Sequence, residues 1–566
     1  MKRTAFRRFF IFTEIFTGPV RAERMGNNTA ANNKSNTRFL KGTLILAASS
    51  IVVKVIGSLN WIILSRVLGG EGIGLYQMGF PMYLLAITVS SAGIPVAISI
   101  ITSEKLAHKD YRGAKKVFHV SLWLLLASGL FFSLALFFGA DWLIASRYIR
   151  DSRAYYSIIA LAPAVFFVTF LASFRGYLQG WQIMTPTAVS EIVEQLMRVI
   201  TMLFFADLFL PYGLAYAAGG ASMGAGVGAL CALFVLMWFY RRLKRRLHRE
   251  MEAQDDSIPP ESAWFIIKRL AKLAIPVSLT SLMLPIGANL DLFVVPQRLE
   301  AAGFDVRHAT ELFGYLTGMA VPLVNLAAIF TAAMTISLVP SIAESRSLKD
   351  MDAIRAKIRI AFRVCMIITL PCFMGLFFLA EKVAALIYNA PLAAGAIKAM
   401  SLGIFFLGMH QVSTGVLQGL GKTGIPMVNM LLACAAKVAL SWNLTAIPEL
   451  GIRGAALASV ADFAVAALLN MFFIYRFTGF AVSMISIIRP LLAAGVMGCV
   501  IYGVLALTEG MGVLTVLLAM AAAIPTYAVA LLACGGLKED DLDNIPFVGH
   551  RLLRLGRRLG LYKHKE

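Results

Sequence analysis

The sequence predicts an all-α integral membrane protein: about fourteen transmembrane helices in two six-helix lobes related by an internal repeat, plus two C-terminal helices. Three observations carry this expectation. The 566 residues are 59% hydrophobic and 15% charged, with a mean hydropathy of +0.76, more apolar surface than a water-soluble core hides. An apolar segment closes twice, about 240 residues apart, with one phrase: Gly176-Tyr177-Leu178-Gln179-Gly180 and Gly415-Val416-Leu417-Gln418-Gly419. Pro186 and Pro426 follow them, and Gly74 with Pro81, Ile98-Ser99 and Asp110 recur as Gly314 with Pro322, Ile336-Ser337 and Asp350. Third, 40 of the 52 Lys and Arg residues fall on the side of both termini, 8 on the other side, and 4 inside spans (Lys54, Arg198, Lys398, Lys437). That bias places both termini in the cytoplasm.

The elements follow in order. Residues 1–41 form a basic cytoplasmic tail whose run from Gly26 to Thr37 (GNNTAANNKSNT) is expected to be disordered. Phe9 to Phe16 is too short and interrupted for the core of a signal peptide, and Met25 is an alternative start. Residues 42–240 hold the first lobe, with spans at 42–64, 75–101, 118–140, 154–174, 185–208 and 212–239. A basic linker, 241–263, leads to the second lobe, 264–475, with spans at 265–290, 311–341, 360–380, 392–415, 426–446 and 452–475. Two further spans, 486–507 and 511–534, lie in 476–534, and 535–566 is a basic cytoplasmic tail. Its stretch Leu552–Leu559 is amphipathic and suited to the inner leaflet.

Pro81, Pro95, Pro163, Pro276, Pro285, Pro322 and Pro371 break spans, which lipid tolerates only where the freed carbonyls face protein or a wet cavity. They shape helices or serve as hinges for alternating access. The two Gly-x-Leu-Gln-Gly phrases lie at the cytoplasmic ends of spans four and ten. Gly176, Gln179 and Gly180 with Gly415, Gln418 and Gly419 are expected to be turns that either pack together when an inner gate shuts or merely connect helices.

The net charge of +21 needs no nucleic acid, since the basic residues hold topology and meet anionic lipids. The sequence has no Walker A loop, His-Glu-x-x-His helix or Gly-x-Ser-x-Gly elbow, so no catalytic residues, metal site or cofactor are assigned. The six cysteines sit in apolar segments as packing residues. Energy is expected from the membrane potential, a substrate gradient or a coupling ion, H⁺ or Na⁺.

Ionisable groups at membrane depth are costly unless paired or wet, which makes them the candidate site. Lys54 lies about twelve residues into the first span, roughly 18 Å, near the midplane. Arg198 and Lys437 occupy nearly equivalent positions in spans five and eleven. Glu191 and Glu194 share span five with Arg198, Asp462 is on span twelve, Asn289 and Asp291 are on span seven, and Asn325 is on span eight. The i, i+4 spacing pairs Glu194 with Arg198, and Asp462 is expected to pair with Lys437 across the neighbouring hairpin. Lys54 then has no counter-charge nearby in sequence and is expected to line a polar cavity. A midplane cation suits an anionic substrate, whereas a carboxylate-lined cavity would suit cationic drugs.

Several stretches are familiar in this order: Leu40 to Leu46 (LKGTLIL), Glu71 to Met78 (EGIGLYQM), Ala92 to Ser99 (AGIPVAIS), Gly176 to Gly180, Met184 to Ala188 (MTPTA), Glu194 to Val199 (EQLMRV) and Val294 to Leu299 (VVPQRL). From about residue 38 to 535 the chain resembles the stage V sporulation protein B-like proteins, the polysaccharide-biosynthesis branch of the multidrug/oligosaccharidyl-lipid/polysaccharide (MOP, MATE-like) exporter superfamily. The resemblance implies two lobes forming a V and a plasma-membrane flippase that moves an undecaprenyl-pyrophosphate glycan, a peptidoglycan precursor or polysaccharide unit, to the outer leaflet. It also implies that Lys54, in Lys54-Val55-Ile56-Gly57, matches a cavity-lining basic position of the related lipid II flippases. Asn60-Trp61 stands where those proteins have a second basic residue, and Arg66 and Arg298 match basic positions of the branch. The expected protein is thus a monomeric transporter of a lipid-linked glycan, with cell-wall synthesis proteins as candidate partners. The alternatives are a cation-coupled multidrug exporter of the same fold and a non-transporting cell-wall or spore-cortex assembly factor.

Overall fold

The computed structural model describes residues 28–252, 261–508 and 510–535. The basic tail with its stretch 552–559, the start of the N-terminal tail and part of the linker lie outside the described residues. Within them the chain is helical throughout. The first lobe comprises α1 (Asn28–Ser91), α2 (Ile94–Ala107), α3 (Tyr111–Ala145), α4 (Tyr155–Gly180), α5 (Thr185–Phe209) and α6 (Leu214–Glu252). Span seven is split into α7 (Ala263–Ser281) and α8 (Met283–Ala301). Span eight is α9 (Val306–Gly314), a π-helical turn (Tyr315–Ala320), α10 (Val321–Ala327) and α11 (Ile329–Ser347). The remaining helices are α12 (Met351–Lys382), α13 (Ala394–Ser401), α14 (Gly403–Gly419), α15 (Gly424–Leu444), α16 (Ile452–Thr478), α17 (Met484–Leu507) and α18 (Val513–Ala533).

Each of the fourteen predicted spans has a helical counterpart, but their composition is uneven. Among the described residues nine helices are long and apolar enough to cross a membrane, or up to eleven if each bent pair is one span. The 60-residue stretch Ala48–Ala107, counted once, carries spans one and two. A break at Gly69, whose φ of 65° is open to glycine and costly for other residues, divides it. The other shortfalls are α5, which carries Glu191, Glu194 and Arg198, and the α7–α8 pair, whose halves each hold charges (Lys268, Arg269 and Lys272; Asp291, Arg298 and Glu300). α1 also begins at Asn28, inside the run expected to be disordered. Extending an existing helix avoids the cost of nucleating one, so a polar run beside a long apolar helix continues it.

The internal repeat recurs in the backbone. Lys109 and Lys349 both adopt left-handed φ (58° and 55°). The Asp after each caps the next helix: Asp110 Oδ1 accepts from Gly113 N at 2.7 Å and Asp350 Oδ1 from Ala353 N at 2.9 Å. Gln182 and Gly421, then Gly213 and Gly451, repeat the left-handed punctuation.

The lobes meet at the end that the charge distribution assigns to the outside, hereafter the outer end. There the repeat-related Gly74 and Gly314 face each other. A β-carbon on Gly314 would stand 3.0 Å from Gly74 Cα and press into the Gly70 carbonyl, and one on Gly74 would press into the Thr310 carbonyl. Gln77 Nε2 donates to Thr317 O at 2.7 Å across the same crossing. Thr310 Oγ1 donates to Asp151 Oδ2 at 3.0 Å, and Arg153 holds Asp151 and Glu71 at 2.7 and 2.5 Å. Arg150 and Glu300 pair at 3.4 Å.

At the opposite, inner end α7 is fastened to the first lobe. Arg269 pairs with Glu104, Ser278 Oγ donates to Ala92 O at 3.2 Å, and Lys105 meets Glu261 at 2.7 Å. After the break at Leu282, α8 reaches the second lobe through Asp291 and Arg298 while Asn289 and Glu300 still hold the first, so span seven bridges the two lobes.

Candidate functional site

The polar groups at membrane depth form two clusters, one in each lobe. In the first lobe α5 turns the apolar residues Leu196, Ile200, Phe204 and Leu208 outward, each at least 42% exposed, and Glu191, Glu194 and Arg198 lie on the opposite face. Gly57 of α1 and Gly228 of α6 let both neighbours close on that face: β-carbons there would lie 3.2 Å from Gln195 Nε2 and 2.6 Å from Glu194 O. Glu194 and Arg198 pair as the i, i+4 spacing predicts, at 3.1 Å. The sequence reading missed the third member, Arg175. It reaches Glu194 at 2.8 Å from the end of α4 and also donates from Nε to Ser190 Oγ at 3.3 Å. The carboxylate thus bridges two guanidinium groups, all three with side chains less than a fifth exposed.

Glu191 takes no ion pair among the described residues and accepts a hydrogen bond from Ser49 Oγ of α1 at 3.4 Å. Lys54, on the same helix, is exposed and makes no ion pair among the described residues. Counting Lys54, the membrane-depth groups of this lobe comprise three cations (Lys54, Arg175, Arg198) and two carboxylates, one positive charge in excess.

In the second lobe Lys437 does not pair with Asp462 as expected. Its Nζ lies 2.6 Å from Asp291 Oδ2 of α8, with Asp462 in electrostatic range of both. The correction has a packing cause: α8 runs beside α15 and brings a closer carboxylate than the α16 neighbour offers. One lysine between two acids gives this cluster the opposite sign. Lys437→Met is expected to lower folded yield sharply by leaving two acids against each other, and adding Asp291→Asn is expected to recover most of it. Size-exclusion yield of the three variants measures this; equal loss in the single and the double variant refutes the pair.

Other expected cavity residues serve packing here. Asn60 is 4% exposed and donates from Nδ2 to Met202 Sδ at 3.0 Å. Asn289, 5% exposed, donates to the carbonyls of Pro81 and Pro285 at 2.9 and 2.8 Å. Arg66 donates from Nε to Ile387 O at 2.7 Å and Arg298 from Nε to Trp442 O at 2.8 Å, with the Arg298 guanidinium over the Trp442 ring. The buried amides and the more exposed guanidinium groups are alike held by the nearest carbonyls, which helix ends and prolines leave at hand. Asn325 is exposed on α10, near the bend at Ala328 that leads into α11.

The two repeat phrases are the last helical turns of α4 and α14 rather than connecting turns. β-Carbons on Gly176 and Gly180 would stand 2.6 Å from Pro95 O and 2.6 Å from Thr102 Cβ of α2. On Gly415 and Gly419 they would stand 2.5 Å from Thr335 Cγ2 and 2.8 Å from Ile342 Cβ of α11. Tyr177 and Val416 are fully buried in their own lobes. Each phrase thus seats the inner half of its lobe's second helix, span two or span eight.

Among the described residues no group of three or more His, Cys, Asp or Glu side chains could hold a metal ion.

Comparison with known proteins agrees with this architecture. Residues 39–346 match the family described as polysaccharide biosynthesis protein, and residues 317–443 match the MatE family. The chain is 30% identical over 531 residues to stage V sporulation protein B of Bacillus subtilis (strain 168), covering 91% of this chain and 99% of that protein. It is 23% identical to lipid II flippase MurJ of the same organism, over 79% of this chain and 84% of the relative. Among solved structures, lipid II flippase MurJ in an inward closed conformation superposes with a TM-score of 0.65 at 15% identity, covering 86% of this chain and 98% of that one. An inward-facing multidrug resistance MATE family transporter of the MOP superfamily gives 0.61 at 17% identity, over 75% and 93%. The chain is a multi-pass membrane protein that belongs to the polysaccharide biosynthesis protein family of the MOP superfamily, whose members are transporters and not enzymes.

Proposed function

We propose that this protein is a plasma-membrane flippase that carries a lipid-linked oligosaccharide, with a pyrophosphate headgroup, from the inner to the outer leaflet by alternating access. The observation that carries the reading is Lys54, expected near the midplane, which makes no ion pair among the described residues in a lobe whose Arg175 and Arg198 are already held by Glu194. A cation at membrane depth without a partner is costly unless it reaches water or an anion visits it. The pyrophosphate meets Lys54, the glycan occupies the wet space between the lobes, and the polyprenyl tail stays in lipid. The relatives support the class of cargo, one being a lipid II flippase, while Asn60 in place of a second cation leaves the glycan open.

Both termini are cytoplasmic in this proposal, and the closed outer end is the extracytoplasmic gate of an inward-facing state. The inner gate then closes between the inner ends of α2 and α11, with the two glycine phrases acting as their seats. Moving about two negative charges outward gains roughly 4–5 kcal/mol per 100 mV, so the membrane potential can drive the step without a coupling ion. The carrier works as a monomer in contact with anionic lipids; a link to cell-wall synthesis proteins is a separate expectation.

Lys54→Ala is expected to abolish complementation of a flippase-deficient strain while the protein still reaches the membrane, and Lys54→Arg to retain most activity. Wild-type complementation by the alanine variant overturns the reading. The drug-exporter alternative predicts the reverse: loss on neutralising Asp291 or Asp462 with drug efflux as the readout, and indifference to Lys54.

A further inference from the structure

A second charged recess lies away from the lobe interface, on the outer end of the second lobe. A cavity of about 390 Å³ opens between α12, α13 and α16, lined by Phe377, Glu381, Lys398, Arg453, Leu450 and Leu457 among others. Its three charged residues stand at one level: Glu381 closes α12, Lys398 is in α13, and Arg453 is the second residue of α16. None of them makes an ion pair among the described residues. Lys398 Nζ sits 4.9 Å from the centre of the Phe377 ring, which holds the ammonium over the recess. The Arg453 guanidinium lies against Gly395, where a β-carbon would come within 2.8 Å of Nε.

The surroundings say what kind of ligand reaches it. Phe377, Leu450 and Leu457, the last 39% exposed, give the recess an apolar side suited to acyl chains. The outer side of this chain is poor in basic residues, with 8 of the 52 in its loops, and yet two cations converge here. The sign is therefore local and is not a by-product of the topology bias.

We propose that this recess binds the headgroup of an anionic phospholipid of the outer leaflet. The phosphodiester lies between Lys398 and Arg453, and a headgroup hydroxyl, as in phosphatidylglycerol, donates to the Glu381 carboxylate. The leaflet assignment rests on the orientation proposed above; the lipid chemistry does not. An interfacial position, two cations for one phosphate and an acceptor one helix away match a hydroxyl-bearing, singly charged lipid better than a zwitterionic one, whose ammonium would meet the two cations.

The full-length protein, purified and exchanged into mixed phosphatidylglycerol and phosphatidylcholine, tests this by native mass spectrometry and thermal unfolding. Wild type is expected to retain phosphatidylglycerol and to gain thermal stability from it. Lys398→Gln/Arg453→Gln is expected to bind it at least tenfold more weakly while unfolding normally in phosphatidylcholine. Glu381→Gln is expected to keep the phosphate but lose preference for phosphatidylglycerol over phosphatidic acid. Equal phosphatidylglycerol retention by wild type and the double variant overturns the site. So does equal stabilisation by phosphatidylcholine, or by soluble glycerol phosphate, which would mark a general anion recess. Because the recess lies outside the lobe interface, these results stand whether or not Lys54 binds cargo.

Discussion

Gly74→Leu is expected to abolish transport and to hold the outer end open, with most of the protein still reaching the membrane. The seal between the lobes is a backbone-on-backbone crossing, with Gly74 on the Thr310 carbonyl and Gly314 on the Gly70 carbonyl. A side chain there has no flexible neighbour to push aside, because the opposing atoms are main chain. Interiors do not absorb several ångströms of overlap, so the crossing must part. Parting it also breaks the Gln77 bond to Thr317 and the Thr310 bond to Asp151, which lie in the same plane of contact. The two lobes keep their own cores, so the loss falls on the equilibrium between states rather than on folding. Gly314→Leu should act alike, since it is the repeat partner. Gly139→Leu, where nothing stands within 4 Å, is the matched control. In a cysteine-free background, Gln77→Cys reads the result. This position, 8% exposed under the seal, should be slow to react with an impermeant thiol reagent alone and fast when Gly74→Leu is added. Slow labelling in both, with transport intact, would show that the seal gives way to side chains and that this crossing is not the gate.

The repeat was legible because it is written in residues that cannot be exchanged cheaply: glycines at helix crossings and aspartates at helix starts. Its geometry was not. The sequence placed the two glycine phrases at helix ends, as gate turns or as plain connections, whereas their glycines seat α4 on α2 and α14 on α11. Glycine signals close approach without saying to what. Arg175 was missed because it fell between two predicted spans and was read as a loop charge. A hairpin rule could have found it: α4 ends at Gly180 and α5 starts at Thr185, so positions 175 and 190 stand level, and Glu194 is one turn further along. The Lys437 partner was beyond such a rule. Asp291 lies 146 residues away in sequence and meets Lys437 only because α8 crosses to the second lobe after the break at Leu282.

That division of span seven gives the site its electrostatic character. One half is held to the first lobe through Arg269 and Glu104, and the other reaches the second through Asp291 and Lys437. The first-lobe cluster keeps one positive charge in excess and the second-lobe cluster one negative charge. On the proposed reading, an anionic headgroup is better matched by the first lobe, which carries Lys54.

The residue that keeps the charged cluster of that lobe in order is Glu194, and its removal should produce the largest stability loss of any single change in the first lobe. The carboxylate holds Arg175 at 2.8 Å and Arg198 at 3.1 Å, with Tyr83 against Arg198 on the far side. Breaking a buried ion pair by deleting one partner costs about 3–5 kcal/mol, because the other charge is left without compensation. Glu194→Gln strands two guanidinium groups at once, whereas Arg198→Met strands none, since Arg175 remains on the carboxylate. The two single substitutions should therefore differ, with Glu194→Gln the worse. The double variant Glu194→Gln/Arg198→Met should recover only part of the loss, because Arg175 stays unpaired. Adding Arg175→Met should restore most of the folded yield, with three apolar or neutral groups now packed where three charges were. Thermal unfolding of the purified variants in one detergent checks the ordering. If Arg198→Met is as damaging as Glu194→Gln, or the triple variant is no better than the double, then the three residues do not form one network and Glu194 acts through Arg198 alone.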